Sequence, residues 1–121
     1  MRLFDLLRPT RPFRQLSPAE AQSAAASGSL LIDVRDQEDW DAGHAPMALH
    51  VPFRRLAERV TRLPKGKELV LICHSGGRSK TSAEVLAEKG LPVAWVNGGM
   101  RAWAKAGLPL VGPGGRSGSV R

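Results

Sequence analysis

The chain has 121 residues, a length that suits one domain with a hydrophobic core and is too short for two. Hydrophobic residues make up 42% of it and charged residues 24%, and no apolar run approaches the twenty residues of a membrane-spanning helix, so a soluble globular protein is predicted. The net charge is +7, but most of it lies at the two ends of the chain. Because no basic patch is interleaved with aromatic residues, we expect no nucleic-acid partner.

A single cysteine, Cys73, bears on the compartment. It excludes an internal disulfide and a resolving thiol, so a dithiol redox cycle is not indicated. The first residues also lack the long apolar region and the small-residue cleavage site of a secretory signal. These features predict a reducing, cytoplasmic location.

Both ends of the chain are expected to lie outside the domain. Residues 1–14 form a basic lead-in in which Pro9 and Pro12 would cut any helix short. Residues 112–121 form a tail that is rich in glycine and serine and is expected to be flexible. The domain itself is therefore expected to span residues 15–111.

The domain opens with a helix and a buried strand. Ser17, Pro18 and Glu20 form a capping box, which predicts the start of an alanine-rich helix. The run LLIDV, residues 30–34, is almost continuously apolar, as strands of parallel sheets are. A short acidic helical turn around Trp40 is expected to follow it.

The middle of the chain predicts a second strand and an amphipathic helix. Residues 48–51 form the strand, which Pro52 closes. The apolar face of the helix would carry Phe53, Leu56, Val60 and Leu63.

The next stretch, LVLICHSGGRSKTSAEVL, predicts a strand, a tight loop and a helix. The strand, residues 69–72, ends at Cys73, and the helix is expected to begin near Arg78 or Ser79. A further strand at residues 93–96 and a last helix follow. Strands that alternate with helices predict an α/β fold of three layers around a mainly parallel sheet, in which sites form at the carboxyl ends of the strands.

The loop after Cys73 favours a reactive thiol. Gly76 and Gly77 let the backbone curl so that successive N–H groups can point inward, and the following helix adds the positive end of its dipole. Such a cradle binds anions, and together with Arg78 it would favour the charged form of Cys73. The alternative is an inert buried thiol. We favour the nucleophile because serine, glycine and arginine are poor core material.

Several motifs occur in an order that resembles the single-domain rhodaneses, a family of sulfurtransferases. They are LIDVR at residues 31–35, Trp40, GHAPMALHVP at 43–52, CHSGGRS at 73–79 and NGGMRAWAKAGLP at 97–109. The resemblance covers roughly residues 17 to 110 and implies the three-layer α/β/α rhodanese-like fold. The chain departs from the family at Ala45 and Met47, where isoleucine and glycine are common. The resemblance therefore does not determine the local packing and turn at these two positions.

The resemblance implies a mechanism and a set of site residues. Cys73 would attack the outer sulfur of a donor such as thiosulfate and hold it as a persulfide until cyanide or a thiol removes it. The donor would be bound by His74, Ser75, Gly76, Gly77, Arg78 and Ser79. Asp33 and Arg35 would support the loop or form a plain structural salt bridge. No cofactor is implied, and no metal is expected because His44, His50 and His74 lack close ligand spacing.

Two other functions are open to such a chain. Related phosphatases have five residues between the cysteine and the arginine, which is long enough to surround a phosphate, whereas residues 74–77 are only four. A phosphatase is therefore disfavoured. The second alternative is a protein-to-protein sulfur relay or a binding module, in which thiosulfate activity would be incidental.

Overall fold

A five-stranded parallel sheet forms the centre of the computed structural model, which describes residues 13–120. The order across the sheet is β1-β5-β4-β2-β3, and every neighbouring pair is parallel. The strands are β1 (Arg14–Leu16), β2 (Leu30–Asp33), β3 (Leu49–His50), β4 (Leu69–Ile72) and β5 (Val93–Val96). The parallel sheet predicted from the continuously apolar runs is confirmed.

Helices cover both faces of the sheet. They are α1 (Pro18–Ala26), α2 (Gln37–Ala42), α3 (Leu56–Arg59), α4 (Gly77–Glu88) and α5 (Gly99–Lys105). One face packs against Leu56 of α3 and Leu86 of α4, and the other packs against Ala21 of α1 and Trp103 of α5. The fold is therefore the predicted three-layer α/β/α arrangement. None of the helices within residues 13–120 is long and apolar enough to cross a membrane.

The sheet brings the ends of β2 and β4 together. Asp33, the last residue of β2, lies opposite Ile72, the last residue of β4. All four residues of β4 are buried, because helices pack on both of its faces. Cys73 and Arg35 therefore leave the sheet at the same edge.

The amphipathic helix predicted from Phe53 is more broken than expected. A 3₁₀ turn at Phe53–Arg55 precedes α3, and another at Val60–Arg62 follows it. Leu56 is buried, but Phe53 is 40% exposed. Leu63 is extended, with φ −77° and ψ 154°, because the following proline disfavours the helical conformation of the residue before it.

The ends of the described chain contact the domain. The expected boundary at residue 15 falls inside β1, which pairs with β5, and Arg14 forms an ion pair with Glu68 at 2.6 Å. The hydrogen bond to Glu68 is the larger cause, and the negative charge of Glu68 the second, of a raised pKa for Arg14. Most of lead-in 1–14 lies outside the described residues, and the domain limits stay a prediction.

The segment expected to be a flexible tail also returns to the domain. Val111 forms bridges with His44 and Ser117, and the Ser119 N–H donates to the carbonyl of Ala42 at 2.9 Å. The backbones of this segment and of the turn after α2 approach so closely that a Cβ on Gly43 would lie within 2.5 Å of the Ser119 nitrogen. Glycine permits this approach because it has no side chain.

The capping box of α1 gives a pH-dependent prediction. The Ser17 N–H donates to Glu20 at 2.8 Å, and this hydrogen bond is the main reason why the pKa of Glu20 is lowered. A lowered pKa means that the carboxylate stabilises the fold fully above the ordinary glutamate pKa, about 4.3, and that this stability is lost as the pH falls through the folded-state value. We expect Glu20→Gln to lower the urea midpoint at pH 7 and to match the parent at low pH. A difference that is constant with pH would contradict this account.

Candidate active site

Cys73 lies at the point where β4 ends and the loop to α4 begins. The side chain is 4% exposed and belongs to the hydrophobic core on one side while lining an open cavity on the other. Its position follows from the sheet, because the carboxyl ends of parallel strands leave room for a ligand. The thiol is therefore almost fully buried but lies next to a cavity that a small molecule could enter.

Three groups surround the sulfur. The backbone N–H of Gly76 donates to Cys73 Sγ at 3.1 Å and that of Ser79 at 3.4 Å. The Ser79 hydroxyl oxygen lies 3.3 Å from the sulfur and donates to the Gly76 carbonyl at 3.1 Å. The two N–H groups are placed to stabilise negative charge on the sulfur, because N–H groups that converge on one atom form an anion site.

Glycine at position 76 makes this geometry accessible. Its φ of +112° lies in the left-handed region, which side chains other than hydrogen disfavour. A Cβ there would lie 3.2 Å from the Trp95 ring and 3.3 Å from the Gly98 nitrogen. The loop therefore turns its N–H groups toward the sulfur only because this residue has no side chain.

The start of α5 holds the carbonyl groups of the loop. The Met100 N–H donates to the Cys73 carbonyl at 2.8 Å, and the Arg101 N–H donates to that of His74 at 3.1 Å. These carbonyl oxygens therefore accept hydrogen bonds from α5 and do not oppose the charge on the sulfur. The contact also requires Gly99, whose Cα packs directly against the same two carbonyls.

We expect Gly99→Ala to displace the loop. The new Cβ would lie 2.6 Å from the His74 oxygen and still closer to that of Cys73, at a φ of +56°. Overpacking and backbone strain together should lower the free energy of unfolding by about 2–4 kcal/mol. Gly107→Ala is the matched control, since it adds the same strain at φ +74° with no atom within 4 Å. Equal urea midpoints for the two variants would show that the close approach is unimportant.

A cavity of about 410 Å³ opens over the sulfur. Its wall combines charges of both signs with the backbone of the loop. The lining residues are Arg35, Asp36, Asp39, Cys73, His74, Ser75, Gly77 and Arg78. The volume suits a small polar molecule.

The rhodanese-like domain family matches residues 17–106, which include the strand, the cysteine loop and the start of α5. The chain belongs to this family. Membership in this family explains why the motifs quoted from the sequence occur in that order.

Relatives in this family carry sulfurtransferase names. The sulfurtransferase of Allochromatium vinosum is 37% identical over 85 residues, which are 69% of this chain and 79% of the relative. Thiosulfate sulfurtransferase GlpE of Pseudomonas savastanoi pv. phaseolicola is 29% identical over 92 residues, or 75% and 87%. A solved rhodanese-related protein from Thermoplasma volcanium has a TM-score of 0.75 at 27% identity and covers 82% of this chain and 98% of its own.

Asp33 and Arg35 form a buried ion pair in this rhodanese-like domain. The Arg35 Nη2 donates to Asp33 at 2.8 Å, and the side chains are only 2% and 0% exposed. Arg35 also donates to the Gly43 carbonyl at 2.6 Å, but its Nη1 is buried and has no hydrogen-bond partner among residues 13–120. Asp33 does not line the cavity, whereas Arg35 does. The ion pair therefore places a cationic side chain in the cavity wall.

The predicted loop residues divide into two groups. Gly76 and Ser79 contact the sulfur, whereas His74, Ser75, Gly77 and Arg78 line the cavity. The guanidinium of Arg78 is exposed and lies 5.7 Å from the Phe53 ring centroid. Arg78 thus lies in the cavity wall with its positive charge exposed to solvent.

Sequence reasoning missed Asp36 and Asp39. Both lie just beyond β2, next to the edge where β4 ends, so the strand order could have indicated them. Trp40 is half-buried and stacks with His44 at a centroid distance of 3.5 Å and with His50 at 4.8 Å. This stack fixes the segment that carries the two aspartates.

Proposed function

We propose that this protein is a rhodanese-type sulfurtransferase. It would move a sulfane sulfur from thiosulfate or a persulfide donor to a thiophilic acceptor, cyanide or a thiol, through a persulfide on Cys73. The observation that carries the proposal is the sulfur of Cys73 at the base of a polar cavity, with the N–H groups of Gly76 and Ser79 directed at it. The sulfurtransferase names of the relatives support the reaction class.

In the first half-reaction the Cys73 thiolate attacks the outer sulfur of thiosulfate. A new S–S bond forms as the S–S bond of the donor breaks, and the electron pair leaves with sulfite. The donor is a dianion, so Arg78 and the buried cation Arg35 in the cavity wall would attract and orient it. Cys73 then carries one extra sulfur.

The persulfide is an anion whose charge lies mainly on its terminal sulfur. The N–H groups of Gly76 and Ser79 point at Cys73 Sγ, which is bonded to the terminal sulfur, so their positive ends would also favour the charge of the persulfide. The hydroxyl of Ser79 could turn from the Gly76 carbonyl toward the sulfur when the sulfur is charged. The loop would therefore hold the intermediate without a cofactor.

In the second half-reaction the acceptor attacks the terminal sulfur. Cyanide takes that sulfur as thiocyanate, the S–S bond breaks, and its electron pair returns to Cys73 as a thiolate. A thiol acceptor would react in the same way and leave as a persulfide. With a protein acceptor, the same cavity would serve the sulfur relay.

Intact-protein mass spectrometry tests the proposal directly. We expect incubation with thiosulfate to add one sulfur atom to the protein and cyanide to remove it. The adduct should be absent from Cys73→Ala. A folded protein that gains no sulfur from thiosulfate or from a persulfide donor would contradict the proposal and favour a binding role.

A further inference from the structure

Two carboxylates line the cavity above Cys73. Asp36 precedes α2 as its N-terminal cap residue, and Asp39 lies in the first turn of that helix. Neither side chain forms an ion pair or a side-chain hydrogen bond with another residue in the described range, 13–120. The Asp36 side chain also makes no capping hydrogen bond to the backbone of the helix. Both charges are therefore available to a ligand.

Carboxylates at this place oppose the binding of thiosulfate. A dianion that enters the cavity meets two negative side chains as well as the cations Arg35 and Arg78. Repulsion of this kind lowers the local concentration of an anionic substrate. A wall built only to bind thiosulfate would not carry these charges.

The wall of the same cavity also carries a buried arginine. Arg35 is 3% exposed, lines the same cavity, and has an Nη1 group without a hydrogen-bond partner among the described residues. This Nη1 group has almost no accessible surface, so a ligand in the cavity meets the positive charge of Arg35 and can bond directly to the exposed guanidinium of Arg78. The cavity thus presents a cation for a carboxylate and two anions for an ammonium group.

We propose that Asp36 and Asp39 are specificity-determining residues that favour a donor with an ammonium group, the persulfide of an amino acid, over thiosulfate. The carboxylate of such a donor would face Arg35 or Arg78, and its ammonium group would face the aspartates. The inference rests on the proposed chemistry of Cys73. It deepens that proposal by naming the class of donor.

The transfer step balances without a co-reactant. The Cys73 thiolate attacks the outer sulfur of the donor R–S–SH, and the bond between the two donor sulfurs breaks. The electron pair leaves with the inner sulfur, which takes the proton and departs as the thiol R–SH. Cys73 is left as the persulfide anion.

The test compares two donors that differ only in the ammonium group. Cysteine persulfide carries it, and the persulfide of 3-mercaptopropionate does not. The rate of sulfur addition to Cys73 is followed by alkylation and intact-mass measurement for each donor and for thiosulfate. The proteins are the parent, Asp36→Asn/Asp39→Asn, and the matched control Asp41→Asn, whose residue is on the same helix but does not line the cavity.

We expect the parent to prefer cysteine persulfide and the double variant to lose this preference by about fivefold, the size typical of two partly exposed charge pairs. The double variant should also react faster with thiosulfate, and the parent's preference should weaken with added salt. Asp41→Asn should behave as the parent. Asparagine preserves the size of each aspartate side chain and is also favoured at a cap position, and Asp36 makes no side-chain capping hydrogen bond that could be lost, so the fold should persist.

Two outcomes would overturn the inference, and they are distinguishable. A sulfur adduct on Cys73 with an unchanged donor preference in the double variant would refute the role of the aspartates and leave the sulfurtransferase proposal intact. No adduct with any of the three donors would overturn both.

Discussion

Replacement of Cys73 by alanine should abolish sulfur transfer while leaving the protein folded. Removal of a nucleophile that forms the covalent intermediate typically lowers turnover by at least about a thousandfold. The side chain is small and lies at the cavity wall, so the core loses little packing. Thiocyanate formation from thiosulfate and cyanide measures turnover, and circular dichroism checks the fold.

A graded variant makes the result more informative. Ser79→Ala removes the hydroxyl that lies 3.3 Å from the sulfur but keeps the backbone N–H of residue 79. We expect turnover to fall by about tenfold, the effect of one hydrogen bond to a charged group. Turnover retained in Cys73→Ala would refute the persulfide mechanism, whereas equal losses in the two variants would point to a structural defect of the loop.

Asp33→Ala should be among the most destabilising substitutions in the domain. It leaves Arg35 buried without its counter-charge, because the two side chains are 0% and 2% exposed and pair with each other. Breaking a buried ion pair by removal of one partner typically costs about 3–5 kcal/mol. This is a large part of the stability of a small domain, about 5–15 kcal/mol. Urea denaturation at pH 7 measures the loss.

A double variant separates the buried charge from lost packing. Asp33→Leu/Arg35→Met replaces both charges with apolar side chains, and such replacements are often neutral. We expect it to be more stable than Asp33→Ala but poorer in sulfur transfer, since it removes the cation from the cavity wall. A free energy of unfolding for Asp33→Ala within about 1 kcal/mol of that of the parent would contradict this account of the pair.

The layers of the fold could be predicted because each strand carries its own signal. β4 and β5 are continuously apolar, and helices cover both faces of these strands. The pairing of β1 could not be predicted. Its three residues, RQL, have no strand pattern, and they are extended because they bond to the edge of β5, which lies far away in the sequence. Long-range hydrogen bonds of this kind override local preference.

The candidate site divides in the same way. Cys73, its glycines and Ser79 all lie within the seven residues 73–79, so their loop could be recognised from local chemistry. The contacts that orient it could not be, because the carbonyls of the loop accept hydrogen bonds from α5, which lies more than twenty residues later. The sequence left open whether Asp33 and Arg35 form a salt bridge, and the structure shows that they form a buried one.

The sequence by itself determined the fold class, the family and the loop that carries the sulfur, because each depends on residues that are close in the chain. Only the tertiary structure decided which charges surround that sulfur. Asp36 and Asp39 reach the cavity because β2 and β4 are neighbours in a parallel sheet and end at the same edge. The strand order is set by packing between distant segments, and that information is not present in any local pattern.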